Sequence, residues 1–234
     1  MVARALGKKA GRAVNLLNYL NSFLHDPAYW HGQDSVWQRL LQHCEYTGIA
    51  LLAAAVLAFP LGCLTGHTGR GGPLVSVLAT AARALPTFGL LVLLTVLMGI
   101  GFLPVAVPLV ALAVPPILLA THVGIRGVDP AAVDAARGLG MRPMQILLQV
   151  EIPAALPSIL NGLRSAAVQI VATATIAAYV SFGGLGRYIV DGLSEYDYVQ
   201  VVGGAVLVAL LSIAVLGLFA VLKRVVVSPG IRAR

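Results

Sequence analysis

Residues Asp129 to Pro157 read DPAAVDAARGLGMRPMQILLQVEIPAALP, a polar, helix-forming loop set between two long apolar segments. Working outward, no Asp, Glu, Lys or Arg occurs between Arg83 and Arg126 on one side, or between Arg164 and Arg187 on the other. The same silence holds between Glu45 and Arg70 and between Asp197 and Lys223. A helix crosses a bilayer with about 20 apolar residues, and the Arg83–Arg126 gap is roughly twice that. It therefore holds two crossings, divided by Gly99-Ile100-Gly101 with Pro104 beyond. Backbone amides in lipid must be satisfied within the segment, so the crossings are helices. The reading is an all-α polytopic membrane protein of about five transmembrane helices.

Bulk composition agrees. The 234-residue chain is 59% hydrophobic and only 11% charged, with a mean hydropathy of +0.89, where a soluble domain carries about 25% charged residues. A net charge of +7 can signal nucleic acid. Here the excess sits in tails and loops flanking the spans, as positive-inside charge does, and no cluster interleaves basic with aromatic residues. Cys44 and Cys63 fall roughly 28 Å apart along one helix at about 1.5 Å per residue, too far for a mutual disulfide.

The expected organisation is an N-terminal amphipathic, interfacial segment (1–43), a transmembrane domain (44–222) with a cytoplasmic loop at 124–155, and a basic tail (223–234). In the first segment Arg4, Lys8, Lys9 and Arg12 precede an apolar run interrupted by Asn15, Asn18 and Asn21, which suits the interface better than a crossing. The spans are expected at about Tyr46–Leu64, Leu74–Met98, Phe102–His122, Leu156–Val180 and Val199–Leu222. Arg70, then Arg126, Arg137 and Arg142, then Lys223, Arg224, Arg232 and Arg234 fall on one side of a five-span chain. That side is expected to be cytoplasmic, which places the N-terminus outside despite its own basic residues. Arg83, inside the second span, is expected to snorkel to the cytoplasmic interface.

In the opening stretch Asp129 can cap a helix that Pro130 begins, where the missing N–H costs nothing. Ala131, Ala132, Ala135 and Ala136 are strong helix formers, and Gly140 suits a left-handed stop. Pro143 starts a second helix. The small side chains of Ala135 and Ala136 read as a knob for a partner's groove. Asp134-Ala135-Ala136, Gly140 and Val150-Glu151-Ile152-Pro153 follow the spacing E-A-A-x3-G-x9-I-x-L-P, which resembles the coupling loop of ABC importer permeases. Arg83-Ala84-Leu85-Pro86-Thr87-Phe88-Gly89-Leu90-Leu91 is similar to their R-x-I-P-S-x-A-L-L segment, and Gly183-Gly184-Leu185-Gly186 to the glycine run ending their fourth span. The wording VGIRGVDP and TATIAAYVSFGGLG most resembles the osmoprotectant branch, which imports glycine betaine, choline, carnitine and related quaternary ammonium compounds.

The resemblance implies a type I importer in the prokaryotic inner membrane. It would be built from two permease subunits, often a heterodimer, two ATPase subunits and an external substrate-binding protein. It implies docking of Asp129, Pro130, Asp134, Ala135, Ala136, Gly140 and Pro153 on the ATPase, with Asp134 standing where the family usually has Glu. It also implies that ATP and Mg belong to the partner and that this chain needs no cofactor. The residues agree, since no G-x4-G-K-[ST] loop is present to cradle phosphates and the histidines lack metal-ligand spacing. For the translocation path, Pro86 and Thr87 inside the second span are candidates. In the fourth, Gln169 and Thr173 share one face, while Thr175 and Tyr179 share another. The face of Tyr179 suits a cation. Gly183, Gly184 and Gly186 are expected to form a turn on the outer face, touching the binding protein. Competing readings are an importer for methionine or a sulfonate, a membrane-embedded enzyme, and a passive channel or scaffold. The enzyme lacks a nucleophile or metal constellation, and the channel lacks charged rings or a filter sequence.

Overall fold

The computed structural model describes residues 16–84, 86–180 and 182–227. Arg4, Lys8, Lys9, Arg12, Arg232, Arg234 and the side chain of Arg83 lie outside that description. A short helix α1 covers residues 16–25, and a 3₁₀ turn at Pro27–Tyr29 follows, capped by Asp26. Helix α2 then runs Val36–Thr68, beyond the expected crossing at both ends and into the segment expected to lie in the interface. Hydropathy falls off there, but helical hydrogen bonding stops only at a breaker. At the C-terminal end that is Gly69, at φ 69°.

The second expected crossing is two helices, α3 (Gly72–Ala84) and α4 (Thr87–Met98). Pro86 supplies no N–H and disfavours a helical residue before it, so the chain breaks there. Helix α5 (Phe102–Arg126) keeps Pro108, Pro115 and Pro116 inside it, with Pro108 and Pro115 buried among its neighbours. Next come α6 (Pro130–Gly138) and the long α7 (Pro143–Val180). The latter contains a π-helical turn at Leu147–Glu151 and ends as a 3₁₀ helix over Ala174–Val180. Helices α8 (Gly186–Glu195) and α9 (Tyr198–Val226) complete the described chain. Among the described residues four helices, α2, α5, α7 and α9, are long and apolar enough to cross a membrane, and the broken α3–α4 pair takes the place of the fifth.

Helix α5 lies at the centre, against α2, α3, α4 and α7. Along α2 the buried positions Ala50, Ala54, Ala58, Gly62 and Gly66 recur every fourth residue and form a stripe of small side chains. A Cβ on Gly62 would lie 2.6 Å from the Cβ of Thr121, and one on Gly66 would lie 2.8 Å from that of Ile125. Lipid offers helices no hydrophobic drive to associate, so close van der Waals approach through small residues supplies it. The apolar core continues through Leu109, Ala113 and Ile117 of α5 and Ala166 and Ile170 of α7.

The bundle has two distinct ends. At one, α6 joins α5 to α7, and Cys63, Ile125, Ala155 and Ile159 cluster behind it. At the other, α8 joins α7 to α9, and Phe23 of α1 is fully buried with Val36, Leu185 and Tyr188. Its ring stacks on Tyr29 at 4.3 Å. Residues 16–30 therefore sit at the end opposite α6.

Candidate functional site

The α6 loop is built by local rules. The Asp129 carboxylate accepts a hydrogen bond from the Ala131 amide at 3.0 Å, and Pro130 occupies the first turn. After Gly138 the chain reverses at Gly140, whose φ of 78° suits glycine and few other residues. The Gly140 and Met141 amides close the helix end on the carbonyls of Arg137 and Ala136, at 2.9 and 3.2 Å. The next helix starts at Pro143, with the Arg142 amide donating to Gln145 Oε1 at 2.7 Å.

The faces of α6 correct one expectation. Ala136 is buried against the protein's own body, so only Ala135 of the alanine pair stays free for another chain. The outward face carries Asp134, Ala135, Arg137 and Leu139, with Leu139 83% exposed. Asp134 pairs with Arg137 at 3.0 Å on that surface. Exposed pairs of this kind contribute roughly 0–1 kcal/mol, so this one is readily exchanged for another partner.

Behind α6 lies a pairing that is invisible in local sequence. Glu151, in the π-helical turn, is buried, and its Oε2 meets His67 Nδ1 at 2.6 Å. A carboxylate this dry requires a partner, and the end of α2 provides it. Gly66, Ile125, Val133 and Glu151 line a cleft between α6 and the bundle. The helix ends around the loop are thus tied together: α2 to α7 by this pair, and α5 to α7 by Ser158, whose hydroxyl donates to the Ala120 carbonyl at 2.8 Å. A lone acid at the end of an apolar run was the signal in the sequence.

The expected path residues are only partly brought together. Thr87 and Thr173 face one small cavity with Leu91, Pro108 and Ala177. Thr175 and Tyr179 do not share a face as they would in an α-helix, because residues 174–180 wind as a 3₁₀ helix with three residues per turn. The Thr175 hydroxyl donates back to the Ala172 carbonyl at 2.8 Å. Tyr179 instead meets Phe88 edge to face, with ring centroids 5.4 Å apart and planes at 74°.

The glycine run is a backbone turn at the end opposite α6, with Gly184 and Gly186 buried against α2 and α7. The Gly184 amide donates to Gln42 Oε1 at 3.0 Å, and a Cβ on Gly186 would lie 2.2 Å from the Thr175 carbonyl oxygen. Nearby, the Tyr188 hydroxyl donates to the Asp34 carbonyl at 2.6 Å. Burial pushes its phenol up to about 12. Tyr29 donates to Asp197 at 3.3 Å and is likewise pushed up to about 12, first by burial and then by that carboxylate. Asp197 also caps α9 through the Val199 and Gln200 amides. The surface at this end is offered by Tyr196 and Tyr198, 79% and 53% exposed.

The structure is thus a helical membrane bundle with a capped polar helix between two of its crossings. The chain belongs to the binding-protein-dependent transport system inner membrane component family, whose model matches residues 58–233. It is 32% identical over 191 residues to the choline transport system permease protein OpuBB of Bacillus subtilis, covering 82% of this chain and 88% of that one. It is 34% identical over 197 residues to the osmoprotectant import permease protein OsmW of Salmonella typhimurium, covering 82% and 91%. A structure of the MetNI methionine ABC transporter, inward facing, shares the fold with a TM-score of 0.73 at 24% identity, covering 85% of this chain and 100% of that one. The chain is thus the permease subunit of an ABC importer, a multi-pass transport component and not an enzyme. The family implies an ATPase, a binding protein and a membrane as its partners.

Proposed function

We propose that this chain forms half of the translocation path of an ATP-driven importer for quaternary ammonium osmoprotectants such as choline, glycine betaine or carnitine. The relatives' names support the solute class. The observation that carries the coupling role is the outward face of α6, where Asp134, Ala135 and Leu139 are exposed at the junction of α5 and α7. A partner seated on that face acts on both helices at once. Asp129, Pro130, Gly140 and Pro153 shape the loop, and Ala136 anchors it from within.

In this reading the basic residues Arg70, Arg126, Arg137, Arg142, Lys223 and Arg224 mark the cytoplasmic end, and α1 and α8 lie outside. ATP and Mg act on the partner ATPase. The second permease is a related chain, giving a heterodimer. Pro86, Thr87, Gln169, Thr173, Thr175 and Tyr179 border the path. Tyr196 and Tyr198 are the surface offered to the binding protein.

Reconstitution in proteoliposomes tests the function. Uptake of radiolabelled choline, glycine betaine or carnitine should require ATP, the ATPase and the binding protein, and ATP-independent uptake would overturn it. The topology is tested with Lys8→Cys. An impermeant thiol reagent should label it in intact cells, and labelling only after lysis refutes the placement of the N-terminus.

A further inference from the structure

Two helix breaks meet in this bundle. The α3–α4 pair is interrupted between Ala84 and Thr87, and α7 changes from α to 3₁₀ winding at Ala174. Thr87 and Leu91 of α4 and Thr173, Ala174 and Ala177 of α7 close on one small cavity with Pro108 of α5. Those segments are the first third of α5 and the last turns of α7, so the junction lies away from the ends that α6 connects. Irregular backbone at membrane depth is tolerated where it is buried in protein or lines a watery cavity, and transporters build solute sites from such discontinuous helices.

At this junction Phe88 and Tyr179 pair at 74° with centroids 5.4 Å apart, yet remain 47% and 57% exposed. The corner of such a pair is walled by the faces of both rings, where the π-electron density is negative. No Asp, Glu, Lys or Arg occurs in 87–98 or 174–180. Arg187 donates to the Ala178 carbonyl at 3.4 Å beside this segment and pairs with Asp191 at 2.9 Å. That carboxylate is already engaged and does not replace the water of a small hydrated cation. A quaternary ammonium group has no N–H to satisfy, and its methyl groups can rest on aromatic faces.

We propose that Phe88 and Tyr179 form a weak cation–π site that a quaternary ammonium group occupies in passage. This rests on the solute class proposed above. Weakness is functional: a site on a path must release what it binds. Tyr179 alone offers one wall, and Phe88 on α4 supplies the second.

The test uses the whole transporter in proteoliposomes, with radiolabelled choline, glycine betaine and carnitine as probes. Uptake is normalised to the ATPase subunit that copurifies. Phe88→Leu and Tyr179→Leu should each lower maximal uptake by about three- to thirtyfold, the span expected for losing one ring face. A stepwise series of mono-, di- and trifluorinated phenylalanine at positions 88 and 179 keeps ring shape while draining π density. Uptake should fall with each fluorine. A flat series with active wild type overturns the site, as does a loss that follows disappearance of the second permease from the complex, which would assign this face to subunit packing. Wild type that imports none of the three probes refutes the solute class instead.

Discussion

Removing His67 should strand a carboxylate that the fold has taken out of water. Glu151 is 6% exposed, its side chain 7% and that of His67 21%, and the contact is 2.6 Å. A hydrogen bond to a charged group nets about 1.5–3 kcal/mol, and breaking a fully buried pair costs about 3–5 kcal/mol. His67 opens partly to the cleft behind α6, so water can enter where the ring was, and His67→Ala should cost about 2 kcal/mol. Glu151→Gln keeps an acceptor and removes the charge, for about 1 kcal/mol. The double variant should cost less than the sum, leaving a coupling of about 1 kcal/mol in the cycle. Thermal unfolding of the purified permease–ATPase complex reads this as a midpoint lowered by roughly 4–8 °C for His67→Ala, taking 2–4 °C per kcal/mol at this chain length. In proteoliposomes the same variant should move fewer solutes per ATP, because α7 at the root of the α6 loop is no longer held to α2. Additivity of the two single variants within about 0.3 kcal/mol, with an unaltered solute-to-ATP ratio, would refute the reasoning.

Other perturbations separate the loop from the bundle. Asp134→Lys or Gly140→Arg should abolish coupled uptake while membrane insertion, followed by fractionation, stays intact; persisting uptake removes the loop from its role. Gly62→Leu or Gly66→Leu forces atoms into the α2–α5 contact and should destabilise by about 1–3 kcal/mol, seen as a lower unfolding midpoint in detergent. Gly48→Leu on the same helix, where a Cβ meets nothing within 4 Å, should be close to neutral. The Tyr188 phenol is raised to about 12 from 10.0, so the folded state holds its proton more tightly than the unfolded chain. That contribution is complete below pH 10 and is lost as pH rises through about 12. Phenolate absorbance should show Tyr188 titrating above the ordinary tyrosine value of 10.0, and Tyr188→Phe should shallow the alkaline loss of stability.

The parts legible in the sequence are those governed by neighbours in the chain. The Asp129 cap, the Pro130 start, the helix end at Gly138 and the left-handed Gly140 all appear where residue chemistry puts them. So do the crossings, apart from their ends and the break at Pro86. That break was written in Leu85-Pro86, yet hydropathy runs through it unbroken, and hydropathy measures affinity for lipid rather than helical continuity. Gly62-x-x-x-Gly66 was also present as spacing, but spacing does not say which helix the stripe meets.

What the sequence by itself determined is a helical membrane protein with a polar, capped helix between two crossings, because solvation and capping act over a few residues. Only the tertiary structure decided the rest. It turned Ala136 inward, folded Gly184 and Gly186 against α2 and α7, joined His67 to Glu151 and set Phe88 against Tyr179. Each depends on how far a helix is rotated about its own axis. That rotation is set by packing against other helices, and residues far apart in the chain share its consequences.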